Sequence, residues 1–365
     1  HRILINGGVD ISKKPVWIEG PRMYKLNGYY YLMAAEGGTS VDHSEVILRN
    51  KNINDEFIPY KDNPILTQRQ LDPNRKDPIT SAGHADLIQT KNGEWYGVFL
   101  ATRDYGDDHY NTGRETFLAP VKWVDDWPIF DLDGETIKYQ YPLPKGVKIN
   151  KEAFKLNGNF TYTEDFETDK LGYNWMFLRT PKDTWYNLKE KKGYLTINTR
   201  PQTLSGLNNP SFIGHRQQHL KGSASVTMDF YTQSPNESAG LVAFQNEAHF
   251  YYLCKSVKNG NPIVQLIKGG EKELTVIASV DLPETTSTIQ LKIEANVDTY
   301  NFSYAIGDDW KILAENSDGK YLSTKEAGGF VGVTLGMYTT SNGKESTNKA
   351  YFDSFTYTGN DAIYE

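Results

Sequence analysis

At 365 residues the chain is longer than one hydrophobic core usually serves, so two domains are expected. With 38% hydrophobic and 23% charged residues it is not a disordered chain, and a net charge of −7 argues against the basic surface of a nucleic-acid binder. One cysteine, Cys254, excludes a disulfide framework and a thiolate metal site, and no run reaches the roughly 18 apolar residues of a membrane helix.

In chain order, "HRILIN" (1–6) reads as the middle of a strand. Almost no helical periodicity follows. Two segments look alike, "MYKLNGYYYLMAA" (23–35) and "LIQTKNGEWYGVFLA" (87–101). Each is a strand, an Asn-Gly turn and an aromatic strand, and Asn-Gly is the strongest short hairpin signal. The turns lie 65 residues apart, Gly28 to Gly93. Hairpins repeating every ~40–60 residues predict propeller blades, here over residues 1–130 and enough for about two and a half to three of them.

Residues 131–158 are rich in charge and proline and read as a linker. From "TEDFETDKLGYNWMFLR" (163–179) the texture changes. "ASVTMDFY", "AGLVAFQN", "HFYYLCKS", "TIQLKIEA" and "YNFSYAI" succeed one another with polar turns between them, which predicts a β-sandwich over 159–365. Cys254, inside one of these apolar runs, reads as a small core residue. The 13% aromatic content, with 24 Tyr and 7 Trp, suits strands and also offers flat faces to sugar rings. Filling β cores accounts for most of it.

Three residues stand out for chemistry. Glu19 lies between Trp17-Ile18 and Gly20-Pro21. An apolar collar there would desolvate the carboxyl, favour its neutral form and suit it to general-acid work. A surface carboxylate in a turn is the other reading. His84, in "TSAGHADLIQ", follows small residues that let the backbone turn; it is either a satisfied core histidine or a ligand or catalytic group. Arg114, in "NTGRETF", precedes Glu115 and can present its fork to vicinal hydroxyls or form a structural ion pair. The acid-rich stretches "LDPNRKDPI" (71–79) and "DYGDDHYN" (104–111) read as turns rather than calcium loops.

Taken in order, "WIEGPRMYKLNGYYYLMAAEGGT", "NPILTQRQL", "AGHADLIQTKNGEWYGVFLATR" and "GRETFLAPVKW" resemble glycoside hydrolase family 43. More narrowly they are similar to its β-xylosidases and α-L-arabinofuranosidases with a C-terminal β-sandwich. "DFETDKLGYNWMFLRTP", "IGHRQQH", "GGFVGVTLGMY" and "AYFDSFTY" resemble that accessory domain. The resemblance implies an all-β chain, part of a five-bladed β-propeller followed by a concanavalin-like β-sandwich.

It also implies exo-acting hydrolysis of terminal β-xylose or α-L-arabinofuranose from xylo- or arabino-oligosaccharides. Hydrolysis would invert the anomeric centre, with acid and base about 6.5–9.5 Å apart so that water fits between base and sugar. By motif, Glu19 would be the general acid and Arg114 would bind sugar hydroxyls. Thr39 would line the pocket, Phe330 would be the aromatic closing one side of it, and His84 would lie under the catalytic centre. A structural Ca2+ near His84, held through water, is the one cofactor the resemblance brings; no organic cofactor is expected.

The family's base Asp sits in a Tyr-Pro-Asp-Pro-Ser type motif ahead of the acid, as does its second Asp. Only Asp10 precedes Glu19, and it matches neither. The expectation is a C-terminal portion that needs N-terminal blades, from the same or a separate chain, as its partner. A non-catalytic carbohydrate-binding protein is the alternative, and a pairing module a third. No membrane or nucleic-acid partner is expected, and secreted, periplasmic and cytoplasmic bacterial locations stay open.

Overall fold

A computed structural model describes residues 1–149 and 157–365. The chain folds as two compact units, His1–Tyr110 with Arg114–Phe154, and Asn111–Gly113 with Lys155–Glu365.

In the first unit, β1 (Glu19–Leu26), β2 (Tyr29–Glu36), β3 (Ser44–Asn50) and β4 (Ile58–Pro59) pair in that order, and β5 (Leu66–Thr67) also pairs with β3. A second sheet follows as a meander of β6 (Ile79–Gln89), β7 (Trp95–Arg103), β8 (Glu115–Val124) and β9 (Trp127–Phe130). All these pairings are antiparallel. The first Asn-Gly pair makes a two-residue turn with both residues at positive φ, 51° and 80°. The second closes a longer loop between Thr90 and Glu94, with only Gly93 at positive φ. Both are hairpin solutions that match strand twist, reached by different loop lengths.

Among the described residues the unit therefore holds two sheets rather than two and a half to three blades. Residues 1–18 contribute a 3-10 turn, Ile11–Lys13, and no strand. "HRILIN" is not a strand, and Ile3 is 77% exposed. It has no paired neighbour among the described residues, and a strand needs one to satisfy its backbone.

The two sheets share one core, in which Tyr31, Met33 and Ile47 meet Ile79, Phe99, Ala119 and Val121. The aromatic surplus goes largely into this packing. Tyr31 meets Trp123 and Trp127 edge-on, Trp95 meets Trp123, and the Arg49 guanidinium stacks 4.0 Å from the Trp127 ring centre. Ile137 is buried in the same cluster, with Leu132, Tyr139 and Tyr141 packed against it. The first third of the stretch expected to be a linker is thus part of this unit's core, because it carries apolar side chains that pack into the cluster between the two sheets. Residues 150–156 of that stretch lie outside the described residues.

The second unit is a sandwich of an eight-stranded and a seven-stranded antiparallel sheet. Lys349–Gly359 sits centrally in the first and pairs with Lys221–Asp229, Leu195–Asn198 and Thr161–Glu164. In the second, Thr334–Thr340 lies between Ser211–Arg216 and Ser238–Phe244. Alternate residues point inward, so Val226, Leu291 and Phe355 from one sheet meet Leu241, Leu253 and Met337 from the other. Cys254 is fully buried in an apolar cluster on the other face of the second sheet.

Candidate active site

β1 is the edge strand of the first sheet, and Glu19 opens it. With a neighbour on one side only, nothing in the sheet covers Glu19, which is exposed; Trp17, at 77%, is exposed too. The apolar collar expected around Glu19 is therefore not formed by Trp17.

What does lie against this corner is His84. Gly20 sits at φ 57°, and a Cβ added there would fall 2.1 Å from His84 Nε2. The bare glycine backbone lets the imidazole pack directly beside the residue that follows the candidate acid. Cross-sheet contacts fix the approach. Arg22 Nε donates to Asp86 Oδ1 at 2.7 Å, Tyr24 OH donates to the same oxygen at 3.1 Å, and the Leu87 amide donates to Tyr24 OH at 2.9 Å. β1 is thus tied to β6 just past His84.

β6 is irregular where it presents this ring. Against β7, Thr80 pairs with Thr102, Gly83 with Leu100 and Asp86 with Val98, so β6 carries one extra residue in each interval. Such bulges re-aim side chains and are common beside active sites. Beneath lies His43, fully buried, its Nδ1 2.9 Å from the Ser81 carbonyl. A carbonyl only accepts, so Nδ1 carries the proton. Burial holds this imidazole below its ordinary pKa, and the Ser81 carbonyl works the other way. The charges of His84, Glu19 and Arg114 all act on His43 as well. Three of the residues singled out in the sequence therefore lie within electrostatic reach of one buried ring.

Arg114 stands exposed at the entrance of β8, as expected. Its neighbour Glu115 makes a two-point ion pair with the buried Arg103, Nε to Oε1 at 2.8 Å and Nη2 to Oε2 at 3.0 Å. Glu115, the carboxylate expected to brace Arg114, thus pairs with Arg103. Thr39 is half-buried in the loop between β2 and β3. Phe330 belongs to the second unit, in the loop after the short helix Thr324–Ala327, and is 54% exposed. A cleft of about 550 Å3 in the first unit, lined by Val9, Asp10, Val16, Glu36 and Arg69 among others, includes none of these five residues.

Glu45 carries no sequence motif and is not among the residues singled out above. It is fully buried on β3, and its Oε2 accepts the Ala85 amide at 2.8 Å. Burial pushes its carboxyl up to about 8, against the pull of the Ala85 and His84 amides. The available signal is the pair His43 and Glu45 at the mouth of an apolar strand, "HSEVIL", where a buried acid is expensive unless it is neutral or bonded.

Among the described residues no group of three or more His, Cys, Asp or Glu could hold a metal ion directly. The acid-rich loops spend carboxylates on their own backbone: Asp72 on the Asn74 amide, Asp104 on those of Gly106 and Asp108.

Residues 163–358 match the beta xylosidase C-terminal concanavalin A-like domain, and residues 2–128 match glycosyl hydrolases family 43. The chain belongs to glycosyl hydrolase family 43. It is 35% identical over 342 residues to a non-reducing end alpha-L-arabinofuranosidase of Bacteroides ovatus, covering 93% of this chain and 62% of the relative. It is 34% identical to a xylosidase/arabinosidase of Butyrivibrio fibrisolvens, covering 94% and 65%. Among solved structures, that of a GH43_12 protein retrieved from capybara gut metagenome is 38% identical with a TM-score of 0.84, over 93% of this chain and 63% of that one. This family 43 chain thus spans somewhat less than two thirds of the length of these relatives.

Proposed function

We propose that this chain carries the acid side of an inverting, exo-acting glycosidase site for terminal β-xylose or α-L-arabinofuranose. The observation that carries the reading is the His84 ring set against Gly20, the residue after Glu19, by a doubly bulged strand. Glu19 protonates the leaving oxygen. Arg114 offers its planar fork to vicinal hydroxyls. Thr39 lines the sugar pocket, and His84 supports the acid through Gly20. Single displacement also needs a carboxylate that activates water on the opposite side of the ring. None of the residues above is assigned that role, and we propose that it comes from N-terminal blades, on the same or a separate chain.

The relatives named arabinofuranosidase and xylosidase support the substrate class. The choice between the two pentoses is tested by hydrolysis of nitrophenyl α-L-arabinofuranoside and β-xyloside. Glu19→Gln tests the acid. It should reduce turnover by about 10²-fold or more on glycosides with poor leaving groups, and far less on activated aryl glycosides. Equal loss on both would remove Glu19 from that role.

A binding protein that turns nothing over is the second reading. The exposed ring of Trp17 favours it, since a flat aromatic face suits a sugar ring. Saturable binding of xylo- or arabino-oligosaccharides with no release of nitrophenol would select it.

A further inference from the structure

Each bulge of β6 contains a residue in the left-handed region, Ser81 at φ 54° and His84 at φ 57°. Neither is glycine, so each conformation costs free energy and persists only where surrounding structure holds it. Two buried side chains at the start of β3 reach across to do so. His43 donates to the carbonyl of Ser81 itself, and Glu45 accepts the amide of Ala85, directly after His84. Gly83 lies between the two grips. A Cβ there would be 2.9 Å from the His43 ring and 2.9 Å from the Ser44 carbonyl, so the strand is seated tightly on this pair.

The polarity of Glu45 is otherwise unexplained. It precedes Val46, Ile47 and Leu48, all buried, and an apolar side chain would spare the desolvation of a carboxyl.

We propose that His43 and Glu45 are positioning residues that fix the two bulges of β6 and so hold the His84 ring beside Gly20 and Glu19. This rests on the reading of Glu19 and His84 as parts of a glycosidase site. They touch no substrate in this role; they act through the backbone of β6.

The test compares Glu45→Leu with Glu45→Gln in the full chain. The readouts are kcat and KM on the two nitrophenyl glycosides, Tm, and the His84 Hε1 NMR resonance, assigned by its loss in His84→Gln. Glu45→Leu should lower kcat by about tenfold or more with little change in KM and should shift the resonance. Glu45→Gln keeps an oxygen for the Ala85 amide. It should stay within about threefold of wild type and leave the resonance in place. Equal effects of the two variants on kcat, or an unmoved resonance in Glu45→Leu, would overturn the proposal. If Glu45→Leu does not fold, Glu45→Ser replaces it, with a side chain too short to reach Ala85 and the same expected results. If the wild-type chain hydrolyses neither glycoside, the functional reading fails on its own. The His84 resonance across the same variants then decides the positioning role.

Discussion

Gly20→Ala is the smallest change that strikes the candidate site. At φ 57° a methyl side chain costs about 1 kcal/mol of backbone strain. The larger effect is steric. The added Cβ would sit 2.1 Å from His84 Nε2, 2.6 Å from Cδ2 and 2.8 Å from Cε1, closer than real Cβ contacts come. Restoring ordinary contact at about 3.4 Å moves the ring by more than 1 Å, or rotates β1 and with it Glu19. A displacement of about 1 Å in a catalytic array can cost roughly 10²-fold in rate. Measured together, Tm should fall only by the equivalent of about 1–2 kcal/mol while kcat/KM on the nitrophenyl glycosides drops by about 30-fold or more. A folded variant that keeps kcat/KM within about threefold would refute the argument, because the imidazole would then be free to move without consequence.

Three further outcomes follow from buried polar groups. His215, packed among Tyr162, Trp175, Phe355 and Tyr357 in the sandwich, is held neutral by burial with its pKa lowered to about 4. The unfolded chain takes up this proton first, so the contribution of His215 is complete above pH 6.5 and is lost as pH falls to about 4, to the extent of roughly 3 kcal/mol. Urea midpoints between pH 7 and 4 should show this slope, and His215→Gln should flatten it. Lys255, also buried, donates to the carbonyls of Phe230, Thr286 and Ser287 at 2.5, 2.5 and 3.1 Å. Lys255→Met orphans these acceptors and should cost roughly 3 kcal/mol in denaturant unfolding, outweighing any gain in apolar packing. Glu115→Gln leaves the deeply buried Arg103 charge without its two-point partner and should destabilise the first unit by about 3 kcal/mol in denaturant unfolding, a loss Arg103→Met should not exceed because it leaves only the partly exposed Glu115.

How much of the molecule is legible in its sequence depends on how local the cause is. The sandwich strands can be read because alternation is written residue by residue: "HFYYLCKS" falls, but for its first residue, in Phe250–Lys258, and "TIQLKIEA" in Thr288–Asn296. The Asn-Gly hairpins can be read for the same reason. The fate of "HRILIN" cannot, because a strand exists only with a partner and pairing is not a property of six residues. Glu19 shows the same limit at the site. Its apolar neighbours in sequence suggest a collar, yet Trp17 is exposed with φ 25°, and what lies against the next residue, Gly20, is His84, 64 residues further along.

Glu45 is the converse case. In sequence it is one charged residue before an apolar run and looks like a strand end facing solvent. Only the pairing of β3 with β2 and β5, and the lie of β6 across them, buries it and hands it the Ala85 amide. Local chemistry can name an acid, a histidine and an arginine as candidates. The residues that hold them in register are legible only once two sheets are packed, because their function is to answer backbone groups some 40 residues away. In this family 43 chain the candidate chemistry is therefore written in short motifs, while its precision resides in buried polar side chains that no motif marks.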